Sequence, residues 1–156
     1  MLGAQLPDGG AEALLRFYVA VCAWGGSTSA RTFAPLLRPE ALERISAALA
    51  APNPEAQYRA FNNHSHAKVK GLGPAFFTKL MHFAAPAPDA GSRLPLILDA
   101  RVARSLGVKT RGWSTQEYLD YLQLLRTFQT GRWSAVPLDA IEYALFTANG
   151  LLQAGS

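Results

Sequence analysis

Lys68-Val69-Lys70-Gly71-Leu72-Gly73-Pro74-Ala75-Phe76-Phe77-Thr78-Lys79-Leu80 is the stretch on which the fold turns. It predicts a helix ending near Lys68, a tight turn with glycines on both sides of Leu72, and a second helix opened by Pro74, since proline suits a first helical position. Glycines let the backbone turn sharply and approach another molecule closely. Leu72 is expected to point inward as the anchor of the turn. The amides at the start of the Pro74 helix then face outward, where the helix dipole makes them a ready seat for a phosphate oxygen. Lys68 and Lys70 stand beside that seat to hold neighbouring phosphates. On a helical wheel Phe76, Phe77, Leu80, Met81, Phe83 and Ala84 make the apolar face. Lys79 falls at its border, with Ala75 and His82 and next to Phe83.

Outward from this turn the chain reads as further helices separated by proline and glycine. Gly10 to Trp24 carries Leu14, Leu15, Tyr18, Val19 and Cys22 at helical spacing and stops before Gly25-Gly26. A short helical piece is expected over Ser29 to Leu37. A helix over Glu40 to Ala50 follows, with Pro39 as its first residue, and another from Asn53-Pro54 to about Asn63. The Pro74 helix runs to about Ala85, and Pro86 to Arg93 is a loop. Asp99 caps a helix through Leu106 that Gly107 ends. Ser114 with Glu117 is a capping box, with Trp113 and Tyr118 as its hydrophobic staple, opening a helix to about Phe128. Asp139 with Glu142 reads as a second box, starting a last helix closed by Gly150. Leu94 to Leu98 is the one candidate strand, and one strand makes no sheet. The expectation is an all-α, compact multi-helix domain, a single unit over residues 1–156, with seven or eight helices.

With 49% hydrophobic and 17% charged residues the chain has a globular composition, which excludes a disordered one. Its lone Cys22 can form no internal disulfide and reads as a core residue. No stretch reaches the roughly 20 apolar residues of a membrane span, and the expected place is the cytoplasm, at the nucleoid. Charge is unevenly spread. Between Arg59 and Arg111 nine basic residues face only Asp89 and Asp99, a net of +7 within a chain of +4 overall, so the remainder is acidic. Such a block suits an anionic partner, nucleic acid first among them, or simply a solvated face.

A lysine at the edge of a core can be partly desolvated, which favours the neutral, nucleophilic amine; the bland reading is a snorkelling surface lysine. Asp99, 20 residues on, weighs toward the first. A capping carboxylate stays ionised, and an ionised carboxylate stabilises a forming cation. Gly71-Leu72-Gly73 with Lys79, followed by Leu98-Asp99-Ala100-Arg101-Val102, resembles the helix-hairpin-helix superfamily of DNA glycosylases, nearest the 8-oxoguanine DNA glycosylase/lyases and their bacterial glycosylase-like relatives. The resemblance is best over Asn62 to Gly107 and extends more weakly to Glu142-Tyr143-Ala144-Leu145-Phe146. Here the lysine lies six residues after Gly73, later than in many members, as in a divergent branch.

The resemblance implies a helix-hairpin-helix fold and damaged double-stranded DNA as the partner of a monomer. Lys79 would attack the anomeric carbon of a flipped-out 8-oxoguanine nucleotide and form a Schiff base, with Asp99 activating it and stabilising charge on the sugar. Gly71, Leu72, Gly73, Lys68, Lys70 and Arg101 would hold the DNA backbone, with an alkali cation a candidate at the hairpin. No four-cysteine iron–sulfur cluster fits the single cysteine, and no metal or other cofactor is expected; His64 and His66 lack matching ligands and suit DNA contact or capping. Of the tryptophans, Trp113 reads as the staple and Trp133 as a loop-to-core anchor, which leaves Trp24, with Phe83, as the candidate for stacking on the extruded base. Two other readings stand beside the enzyme: a non-catalytic helix-hairpin-helix DNA-binding module, and a helical protein-interaction domain whose turn is only a corner.

Overall fold

Helix formers punctuated by caps produce helices in the computed structural model, which describes residues 10–25, 33–38, 40–62, 68–86 and 94–150. Seven α-helices are present among them: α1 (Gly10–Trp24), α2 (Ala41–Leu49), α3 (Pro54–Asn62), α4 (Pro74–Ala84), α5 (Ala100–Ser105), α6 (Thr115–Phe128) and α7 (Leu138–Ala148). Short 3₁₀ turns cover Ala34–Leu37 and Gly131–Trp133. The fold is all-α, with no strand among the described residues. Pro39, His64, His66 and most of the loop after Pro86 lie outside them, as does the first part of the piece expected over Ser29 to Leu37.

The local signals act where they stand. Asn53 Oδ1 accepts from Ala56 N at 2.9 Å at the head of α3, and Ser114 and Glu117 form the reciprocal box at the head of α6. Trp113 and Tyr118 are both buried beside it. The box expected at Asp139 and Glu142 is absent. Pro137 holds the N-cap of α7, Asp139 is the second residue of the helix and accepts from Ala140 N, and Glu142 turns into the core instead.

In α1 the core face is Leu14, Tyr18, Val21 and Cys22, whereas Leu15 and Val19 are exposed. Cys22 is buried as expected. Trp133 is 52% exposed and is therefore no core anchor. α3 is described to Asn62, and Lys68 and Val69 are irregular backbone; the helix end expected near Lys68 falls on residues 63–67, which lie outside the described residues.

An aromatic column ties three helices together. Phe61 of α3 stacks on Phe77 of α4 with centroids 5.0 Å apart, Phe77 meets Tyr58 edge-on at 4.9 Å, and Tyr58 stacks on Tyr118 of α6 at 4.2 Å. Such pairs add about 0.5–1.5 kcal/mol each beyond the area they bury.

The apolar run before Asp99 is extended but pairs with no strand, so its backbone groups must find side chains. Thr78 Oγ1 accepts from Leu98 N at 3.3 Å and Glu142 Oε2 from Ile97 N at 3.2 Å. Tyr118 donates to Leu96 O at 3.0 Å and Tyr121 to Ile97 O at 2.7 Å. His82 Nδ1 lies 2.9 Å from Pro95 O. Three helices thereby fix the segment that delivers Asp99.

Candidate active site

α4 carries Lys79 and the extended run delivers Asp99 to meet it. Asp99 is the N-cap of α5, and its Oδ1 accepts from Arg101 N at 2.9 Å and Val102 N at 3.2 Å. Its Oδ2 is turned to Lys79 Nζ at 3.4 Å, and the same nitrogen donates to Ala75 O at 3.1 Å. The pair is nearly closed from water, with side-chain exposures of 13% for Lys79 and 11% for Asp99. One carboxylate thus closes the helix with one oxygen and faces the amine with the other.

The pair opens into a cavity of about 470 Å³. Trp24 and Phe83, named from the sequence, both line it, their rings edge-on at 4.7 Å. Trp24 remains 51% exposed, so its ring forms a rim and not a floor. Gly25 lies where a Cβ would come within 3.6 Å of Lys79 Cδ, so the backbone after α1 closes over the lysine stem. Arg101 lines the same cavity, its guanidinium 4.3 Å from the centroid of Phe146.

Glu142 and Phe146 of α7 are among the lining residues that were not singled out for the site. Glu142 is buried, and burial pushes its carboxyl up to about 7; the hydrogen bond from Ile97 N opposes the shift, while Asp99 and Asp139 add to it. Its spacing from Asp139 imitates a capping box, and only the non-local contact with Ile97 reveals it. Phe146 lay inside the weaker end of the resemblance but carried no role there.

The sequence-derived backbone-contact residues divide between two places. Arg101 joins Lys79 in the cavity, whereas Lys68, Lys70, Gly71, Leu72 and Gly73 line a separate cleft at the turn. Leu72 is buried, as an inward anchor should be. Gly71 has φ +92°, which a side chain would strain. Gly73 does not need to be glycine for the backbone's sake: its φ is −89°, and an added Cβ would meet nothing within 4 Å. What a side chain there would occupy is the space outside the chain. The carbonyls of Lys68, Val69 and Lys70 accept from Arg44, Leu72 N and Arg38, so an alkali cation at the turn would have to share them. Arg104, a further basic residue of α5, bonds the Asn149 side chain at the end of α7.

An all-helical domain with a shielded lysine–aspartate pair lining an aromatic-rimmed cavity is the class that fold and site define. The chain belongs to the family described as "Putative 8-oxoguanine DNA glycosylase OGG-like protein", whose model matches residues 2–146. No curated protein and no solved structure matches it. No helix among the described residues is long and apolar enough to cross a membrane.

Proposed function

We propose that this protein is a DNA glycosylase with lyase activity that removes an oxidised purine, 8-oxoguanine, from duplex DNA through a Schiff base on Lys79. The observation that carries the reading is the Lys79–Asp99 pair, shielded from water and opening into a cavity whose walls include Trp24, Phe83 and Phe146. A flipped-out base brings a planar face to such walls, and stacking there offsets part of the few kcal/mol that flipping costs.

In the reaction Lys79 gives up its ammonium proton towards the leaving base, and the freed amine attacks C1′ of the extruded nucleotide. The glycosidic bond breaks, and its electron pair leaves with the base, which takes up a proton. Positive charge on the sugar then develops near Asp99, whose fixed Oδ1 keeps Oδ2 aimed at the reacting nitrogen. The nitrogen then loses a proton, its lone pair displaces O4′ from C1′, and O4′ takes up that proton, so the ring opens and the protonated imine forms. Removal of a C2′ proton then expels the 3′-phosphate and nicks the strand. Glu142 Oε2 is held by Ile97 N, which leaves Oε1 for the edge of the bound base. A carboxyl that is half protonated near neutral pH can donate to a base carbonyl or accept from a base N–H.

Borohydride trapping tests this reading, with wild type and Lys79→Gln compared on a duplex containing one 8-oxoguanine. A covalent adduct in the wild type that is absent from the variant is expected. Salt-sensitive DNA binding without any adduct would overturn it in favour of the non-catalytic module, which the basic cleft at the turn would equally suit.

A further inference from the structure

The cleft at the turn is larger than the lysine cavity, about 750 Å³, and shares no lining residue with it. It is built from two distant parts of the chain: Arg38, Glu40, Ala41 and Arg44 on one side of the sequence, and residues 68–73 on the other. Four cations, Arg38, Arg44, Lys68 and Lys70, face a single carboxylate, Glu40. Arg38 Nη1 donates to Lys70 O at 2.7 Å and Arg44 Nη1 to Lys68 O at 3.2 Å. Arg44 Nη2 lies 3.6 Å from Glu40 Oε1. The two guanidiniums are thereby oriented by backbone carbonyls, and each has five N–H donors, so several remain for the cleft. Gly71 and Gly73 leave it without side-chain walls at the turn.

We infer that Arg38 and Arg44, supplied by the segment around the start of α2 and not by the turn, are phosphate-contacting residues for duplex DNA in addition to those that the resemblance implies at the turn. Forked, pre-oriented guanidiniums match phosphate oxygens in geometry as well as charge. An excess of cations without an aromatic anchor suits a polyanion better than the apolar core of a protein interface. The inference rests on the DNA reading above but not on its chemistry.

Fluorescence anisotropy with an undamaged duplex, titrated at several salt concentrations, tests it without catalysis. Arg38→Gln and Arg44→Gln are each expected to weaken binding several-fold near 0.1 M salt and to flatten the slope of log K against log salt by about 0.9. Arg126→Gln removes the same charge from α6, in a different cleft lined by Asn53 and Glu55, and is expected to leave the slope unchanged. Arg38→Lys separates contact from scaffolding: a phosphate contact keeps the wild-type slope, whereas affinity lost at constant slope in Arg38→Gln would mean that the residue only shapes the turn. Equal slopes in all variants overturn the inference and leave the cleft to an acidic protein surface. A borohydride adduct with no slope change sinks this inference alone, and a slope change with no adduct sinks the Schiff-base reading alone.

Discussion

Asp99 does two things with two oxygens, and they can be separated chemically. Asparagine is also a good N-cap. Asp99→Asn should therefore keep α5 while removing the charge opposite Lys79, lowering the single-turnover rate on the order of 10²-fold with little change in melting temperature. Asp99→Ala should lose the cap as well, costing about 0.5–2 kcal/mol on a denaturation curve. Equal stability losses in the two variants would argue against this division. Glu142 makes a second residue-scale prediction. Its carboxyl titrates near 4.5 when unfolded and about 7 in the fold, so the folded chain holds this proton more tightly. Stability from this group is complete below about 4.5 and is lost as pH rises towards 7, by at most about 3 kcal/mol. Urea curves across that window should fall with pH in the wild type relative to Glu142→Gln, and parallel curves would refute the assignment.

At the scale of elements, helix starts were legible where the cap is made by neighbours in sequence. Asn53, Asp99 and Ser114 bond amides two or three residues away, and their local patterns suffice. The site was half legible for the same reason. Lys79 falls on a readable helix border and Asp99 on a readable cap, but Glu142 serves an amide 45 residues away. α1 shows the limit of periodicity: apolar residues lie all round its wheel, so packing decides that Val21 is buried while Leu15 and Val19 are not. The run 94–98 shows another. Its apolar residues fit a strand, yet its partners are a threonine, a histidine, a glutamate and two tyrosines on helices. Thr78 is fully buried there, its hydroxyl donating to Pro74 O and accepting from Leu98 N, one residue before Asp99. Thr78→Val keeps the shape but strands the amide, so a loss of about 1–3 kcal/mol is expected. The single-turnover rate should fall with it through displaced Asp99, although Thr78 touches no reacting atom. An unchanged rate at lower stability would show that Asp99 is positioned by its own cap alone.

Across the whole molecule the cavity is walled on one side by the well-buried α4 and on the other by α7, in which only Glu142 and Leu145 are buried. Leu138, Ile141 and Phe146 add partly buried packing against the core, and polar fastenings hold the end of the helix. Ser105 of α5 is the chief one: its hydroxyl donates to Leu145 O at 2.6 Å and accepts from Gly150 N at 2.9 Å. Arg104 reinforces it at Asn149, whose left-handed backbone ends the helix. Local opening free energies follow local burial and bonding, so α7 belongs at the low end of the stability range while the aromatic column of α3, α4 and α6 belongs at the top. Ser105→Ala removes both bonds at once, leaving Leu145 O with its bond from Asn149 N alone and the half-buried Gly150 N without this partner, a cost of about 0.5–1.5 kcal/mol for each bond lost. Hydrogen exchange should then accelerate over 138–148 well before it does over 115–128. Binding of a damaged duplex should slow exchange over 138–148, because a base held in the cavity rests against Phe146 and Glu142 and favours the closed arrangement. Uniform acceleration over α6 and α7 together would mean that the helices open as one unit, and the cavity would then have two rigid walls in place of one rigid and one yielding.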